Sequence, residues 1–385
     1  MHRNDFFCNL IVFNRHRQTS CWQKKLNMSL TGTELLNTKK HFETLDGLRG
    51  VAAIAVVVFH FMEFAAPKYE DSFIGHGYLA VDFFFCLSGF VIAYAYDQKI
   101  KEIGLGRFLK LRLIRLHPLV VIGSVIGLIA FVFDPYSNLY QQYGLKNAIL
   151  MFISGSTLIP YPLVQERYFN LFHLNPPTWS LFWEYIANIF YALLFYRLKK
   201  YGLLLLTIAA AFLLGYESYK SGYVGVGWSG DNFWGGGVRI LYSFLAGMSV
   251  YRFKWIINNR LGFAFISILL LASFLVPYTT GTAPFLDPLI VILYFPLIVA
   301  LGAGTSLTGR AKKICEFSGA ISYPLYMVHY PILWLFLSYL EKYPLSINQM
   351  WGVIPVGTLL LIVFAYLIMI GLDIPIRKYL RRKMG

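Results

Sequence analysis

Arg49, His60 and Glu63 sit in the stretch LDGLRGVAAIAVVVFHFMEF (45–64). The ten residues between Arg49 and His60 carry no charge. Arg49 and His60 are eleven positions apart, which on a helix is three turns plus about 20°, so both side chains share one face. The rise between them is about 16 Å, roughly half the thickness of a bilayer's hydrocarbon core. Glu63, three residues further on, lies on that face within reach of His60. Histidine suits proton transfer at neutral pH, because its ordinary pKa is near 6.5. Ionisable groups inside an apolar segment are costly and usually face a bundle interior, where they serve function. The plainer alternative makes Arg49 a snorkelling anchor and His60 an interhelical hydrogen-bonding residue.

Other ionisable residues fall in apolar runs. Asp82, Glu184 and His329 are expected toward the outer half of their helices, where Asp82 and Glu184 would bind sugar hydroxyls or pair with Arg239. Ser88, in CLSGF, is a candidate nucleophile, but it lacks the G-x-S-x-G setting and equally fits helix packing or a channel lining. Trp179, Trp183, Trp228 and Trp234 could stack on sugars or belong to an interfacial aromatic belt. The run GYVGVGWSGDNFWGGG (222–237) lacks the G-x4-G-K-[ST] pattern and reads as a mobile outward loop.

These residues need helices to hold them, and the composition supplies them. The 385-residue chain is 57% hydrophobic and only 14% charged, with a mean hydropathy of +0.57. A soluble domain carries about 25% charged residues, so a multi-span membrane protein is expected. The net charge of +15 does not point to nucleic acid, because the basic residues cluster between apolar runs, as in cytosolic loops. Ten spans are expected near 48–66, 78–97, 114–133, 178–197, 202–217, 238–252, 261–277, 288–304, 318–340 and 351–373, with a re-entrant or surface helix within 134–177. The basic clusters at 99–115, 197–200, 252–260, 310–313 and 377–383 then fall on one side, and both termini are cytosolic. Residues 1–44 read as a disordered basic cytosolic tail in which Met28 is a plausible true start, and 45–385 as one membrane domain. No cleavable signal peptide is expected. The four cysteines (Cys8, Cys21, Cys86, Cys315) have no metal or disulfide spacing, and no metal site is expected.

The R-x10-H spacing behind LDGLRG resembles the membrane-bound acyltransferase family 3. GYLAVDFFFCLSGFVIAY (77–94), RFLKLRLIRLHPL (107–119), NPPTWSLFWEYIANIFY (175–191), RILYSFLAG (239–247) and ISYPLYMVHYPI (321–332) resemble further family blocks in order. Asp373 in DIPIR stands where members often have Glu. The resemblance covers about 44–377. It implies an all-α integral membrane enzyme that moves an acyl group, usually acetyl, from cytosolic acyl-CoA to a hydroxyl of an extracytoplasmic glycan or lipid-linked sugar. It maps the motif histidine onto His60, as base, and supports Arg49 and the basic loop 107–119 as the donor's phosphate site. Arg107, Lys110, Arg112 and Arg115 suit that role, although topology alone also calls for positive charge. Glu63 would orient His60, in a role no family motif carries. Glu184 shares the W-S-L-x-x-E match with Trp179 and Ser180 and is a second catalytic candidate. Asp82, Ser88, Trp179, Ser180, Arg239 and His329 are the candidate acceptor-binding set.

The expected protein is thus a multi-pass enzyme of a bacterial inner membrane, with acyl-CoA as co-substrate and no resident cofactor. Some relatives carry a C-terminal esterase-like domain; this chain is expected to transfer directly or to use a separate extracytoplasmic partner. The rival reading is a secondary transporter of an acyl donor or glycan, which also uses midplane charges and kinked helices.

Overall fold

The computed structural model describes residues 41–384. The tail 1–40, with Met28, Cys8 and Cys21, lies outside the described residues. The first helix, α1 (Glu43–Ala65), already includes Glu43 and Thr44, so the ordered domain starts earlier than 45. The described residues form no strand; one isolated bridge joins Asn170 to Ser229.

Ten further helices follow: α2 (Ala80–Tyr96), α3 (Ile100–Val132), α4 (Leu139–Thr157), α5 (Thr178–Leu193), α6 (Lys200–Ser221), α7 (Phe233–Arg252), α8 (Gly262–Phe274), α9 (Ala283–Gly304), α10 (Gly309–Lys342) and α11 (Ile347–Met384). Among the described residues, seven helices are long and apolar enough to cross a membrane: α1, α2 with its preceding turn, α3, α6, α9, α10 and α11. Of the other expected spans, α5 and α8 are shorter, and α7 has the length but carries a Gly-Gly-Gly run and Arg239. The stretch expected as a basic loop at 99–115 is instead the start of α3, broken from its first turn by Gly104 at φ +70°. Long aliphatic and arginine side chains support a helix there, and charge alone does not end one.

The helices sort by burial. The most apolar windows of α2 and α10 are 72% buried, those of α6 and α11 only 22% and 28%. Leu205 and Phe212 on α6 and Leu359 and Leu360 on α11 are accordingly exposed. Apolar faces of that extent call for a lipid surround. Inside, α1 lies along α10, and α2 along α7. The second contact depends on glycine. A Cβ on Gly89 would strike the carbonyl of Phe244, and one on Gly247 the carbonyl of Cys86, so both helices need a bare backbone at the crossing.

Prolines stand inside several helices, and one carbonyl so freed has a side-chain partner. Pro331 in α10 offers no N–H to the Met327 carbonyl, which instead accepts from Asn175 Nδ2 at 2.9 Å. Single π turns interrupt α9 at Ile290–Tyr294 and α11 at Met369–Asp373. Such turns often mark functional positions.

Gly247→Val should destabilise the fold by about 1–3 kcal/mol through overpacking. Gly215→Ala on α6, where nothing lies within 4 Å, should leave stability unchanged or raised. Thermal unfolding in detergent micelles, read by tryptophan fluorescence, compares the two; equal losses would contradict the close crossing.

Candidate active site

Helix α1 is the spine of the site, and Arg49 is fixed against α10. Its Nε donates to Ser322 Oγ at 2.9 Å, its Nη2 to the Gly319 carbonyl at 2.8 Å, and Asp46 lies 2.9 Å away. Arg49 borders a chamber of about 340 Å³. Arg112 and Arg115 from α3 and Arg377 from α11 also line it. Besides Asp46 at Arg49, two carboxylates lining the chamber balance them in part. Glu184 Oε1 accepts from Arg112 Nη2 at 2.7 Å and from Ser88 Oγ at 2.9 Å. Asp373, turned inward by the π segment of α11, pairs with Arg377. Four guanidinium groups around one space are chemically of the kind that pairs with phosphate oxygens, although Arg49, Arg112 and Arg377 each already face a carboxylate.

Further along α1 is a second chamber of about 270 Å³. His60 and Glu63 line it, with Tyr69, Trp179, Trp228 and Tyr330 among its aromatic walls. Glu63 Oε2 is 2.8 Å from His60 Nδ1, and Tyr69 donates to Glu63 Oε1 at 3.1 Å. Burial first, and the Glu63 charge second, raise the Tyr69 phenol well above its ordinary pKa, so it stays a donor. A carboxylate at Nδ1 favours the tautomer with its proton there, leaving Nε2 free to accept one. The ring is held by stacking on His329, with centroids 5.5 Å apart, and by the edge of Tyr330 at 4.7 Å. Val81 and Tyr326 border both chambers.

An arginine-lined chamber adjoins a histidine held by a carboxylate, an arrangement chemically suited to group transfer from an anionic donor. The sequence profile of the acyltransferase 3 family, described as an acyltransferase domain, matches residues 42–370. The chain belongs to the acyltransferase 3 family. Among curated proteins it is 36% identical over 162 residues to "Protein 2 in picA locus" of Rhizobium radiobacter, covering 40% of this chain and 82% of that one. It is 30% identical over 157 residues to the peptidoglycan O-acetyltransferase OatA of Listeria monocytogenes, covering 40% of this chain and 24% of the relative's length. No solved structure matches the chain. Family and apolar helices together describe a multi-pass membrane acyltransferase.

Within this acyltransferase the expected residues divide between the chambers. Arg49, Arg112, Arg115, Ser88, Ser180 and Glu184 line the first; His60, Glu63, Trp179, Trp228 and Arg239 line the second. Arg107 and Lys110, expected with the phosphate group, line neither. On α3 they lie about 140° and 160° around the helix from Arg112, whereas Arg115 is on its side. Glu184, expected among outer-half groups, is instead beside Arg112 at the Arg49 end. Asp82, expected to bind sugar hydroxyls or to pair with Arg239, does the second: Arg239 donates to both its oxygens at 3.1 and 2.7 Å, and Asp82 lines neither chamber. Arg239 also donates to the carbonyls of Val226 and Tyr78 and lies over Trp179, 5.2 Å from the ring centre. His329 is fully buried behind His60, with Nδ1 directed at the Leu325 carbonyl. Trp183 is buried outside both chambers, and Trp234 is exposed.

Several contributors had weaker signals. Asp287, an aspartate in the apolar run of α9, meets His76 Nδ1 at 2.8 Å and accepts from Tyr78 Oη at 2.6 Å and the Val224 amide at 2.9 Å. It ties down the glycine-rich segment expected to be a mobile loop. Asn232 Oδ1 also accepts from the amides of Gly227 and Ser229, and Gly225 and Trp228 become chamber wall. Tyr69 lines the second chamber and Arg377, the last residue of DIPIR, the first. Among the described residues, no group of three or more His, Cys, Asp or Glu is placed to hold a metal ion.

Asp82→Leu should strand the Arg239 charge and cost about 3–5 kcal/mol, as breaking buried ion pairs does. The double variant Asp82→Leu/Arg239→Met should recover part of that loss. Unfolding midpoints of both variants in micelles test the pair; additive losses would contradict a structural ion pair.

Proposed function

We propose that this chain carries an acyl group, most simply acetyl, from acyl-CoA to a hydroxyl of an extracytoplasmic glycan or lipid-linked sugar. The observation that carries the reading is the adjacency of two unlike chambers. One has four arginines suited to the donor's phosphates; the other has a histidine with its Nδ1 engaged by a carboxylate, among aromatic rings suited to a sugar face.

The donor's phosphates would be held at Arg49, Arg112, Arg115 and Arg377, and its arm would run along α1 toward His60. The acceptor oxygen attacks the thioester carbonyl while His60 Nε2 takes its proton. The carbon–sulfur bond breaks, and the departing thiolate receives that proton, giving ester and free CoA. Glu63 stabilises the imidazolium that forms in between. Glu184, paired with Arg112, would serve the donor end and not the proton transfer.

The same frame supports an orientation for the protein. Lys312 pairs with Glu43 at the Arg49 end of α1, and Arg377 lines the Arg49 chamber, so the clusters at 310–313 and 377–383 lie toward that end. By the positive-inside rule it would face the cytosol, where acyl-CoA is. Ten spans in a bacterial inner membrane, both termini cytosolic, remain our reading, with α5, α7 and α8 completing the seven. The peptidoglycan O-acetyltransferase relative supports an envelope glycan as acceptor. Direct transfer needs no further partner; a separate extracytoplasmic protein could pass the group onward.

Proton NMR of surface glycans from intact, deleted and His60→Ala strains, at matched membrane abundance, tests this. O-acyl resonances should vanish in the deletion and stay absent with His60→Ala, because loss of a general base costs about 10²–10⁴-fold in rate. Restoration by His60→Ala would contradict the role of His60. Unchanged glycans in the deletion would contradict glycan acylation and favour transport.

A further inference from the structure

The wall between the chambers has a definite construction. Arg49 meets Ser322 and His60 meets Tyr330, so α1 and α10 run side by side in the same direction. Ser322, Tyr326 and Tyr330 succeed one another at four-residue steps on one face of α10. Tyr326 therefore sits midway between the donor end and the histidine. It and Val81 of α2 are the two side chains that border both chambers.

Tyr326 is latched. Its Oη lies 2.8 Å from Ser180 Oγ. The Ser180 hydroxyl already donates to the Pro177 carbonyl at 2.9 Å, so Tyr326 is the donor to Ser180. The ring rests edge-on against Phe84, with centroids 5.6 Å apart. Both Tyr326 and Val81 are buried. Pro324 and Pro331 bracket this part of α10.

We propose that Val81 and Tyr326 form a doorway between the chambers, and that the doorway selects acyl groups by cross-section. The inference rests on the reading above, in which the donor is in one chamber and the base in the other. The acyl group is the tip of the donor's arm, so it must pass first. A straight acyl chain is no wider than the arm behind it and follows the same track. A group branched at the carbon next to the carbonyl is wider and meets the Val81 methyls on one side and the latched ring on the other. Val81 and Tyr326 are thus specificity-determining residues, distinct from those that hold phosphate or move the proton.

Two isomers separate width from apolarity. Membrane vesicles from a deletion strain expressing the chain or a variant are given radiolabelled acetyl-, butanoyl- or isobutanoyl-CoA, and alkali-labile label in the glycan fraction is counted. The unaltered chain should transfer butanoyl well ahead of isobutanoyl. Val81→Ala should raise the isobutanoyl-to-butanoyl ratio about tenfold, the scale of a methylene-sized fit in an apolar pocket. Tyr326→Phe, which keeps the ring and removes only the tie to Ser180, should raise it less. A purely structural role would lower both rates together, so an unchanged ratio in the active variants overturns the doorway. Should Val81→Ala fail to assemble, the Tyr326→Phe ratio decides. Absence of label with the unaltered chain and every donor overturns the acyltransfer reading, and the doorway with it.

Discussion

The attachment of Arg49 to α10 sets the register on which the rest of the site depends. A guanidinium in an apolar bundle has to satisfy its donors within the protein, and Arg49 does so on Gly319, Ser322 and Asp46. With α1 pinned to α10 at that point, the two helices run on together. Eleven residues later His60 meets Tyr330 and stacks on His329. The R-x10-H spacing therefore does two jobs. It places a cation near one end of α1 and an imidazole further along the same face, and it fixes the helix opposite.

The same rule shapes the second chamber from behind. Arg239 and Asp287 are buried and touch several chain segments through their polar atoms. Arg239 joins α7 to Asp82 on α2 and to the Val226 and Tyr78 carbonyls. Asp287 joins α9 to His76, Tyr78 and Val224. Together they hold the glycine-rich segment in place, which explains why backbone with so little side-chain packing forms a wall. Such groups contribute fixed geometry more than net stability, because desolvation offsets much of the charge attraction.

Helices were legible in the sequence because apolar runs of bilayer length have few other solutions. So was the pairing of His60 with Glu63, which follows from the helical repeat within one segment. What failed needed information between segments. Glu184 was placed at the wrong end because hydropathy gives depth along one helix but not its direction relative to another. Arg107 and Lys110 were grouped with Arg112 because the basic stretch was taken for a loop; as a helix, its 100° step separates them. Arg377 reads in the sequence only as part of the basic cluster 377–383; that it lines the first chamber follows from how α11 packs, after a π turn that a regular repeat does not predict. Asp287 carried a signal, an acid in an apolar run, that was not taken up.

The central claim is that donor recognition and proton transfer occupy two adjoining chambers threaded by one arm. Electron cryomicroscopy of the protein in nanodiscs with a non-transferable thioether analogue of acetyl-CoA tests it most directly. The account predicts density for the phosphates among Arg49, Arg112, Arg115 and Arg377, with the arm passing between Val81 and Tyr326 to end beside His60 Nε2. An arm that folds back and ends at Ser88 and Glu184, within the first chamber, would contradict it.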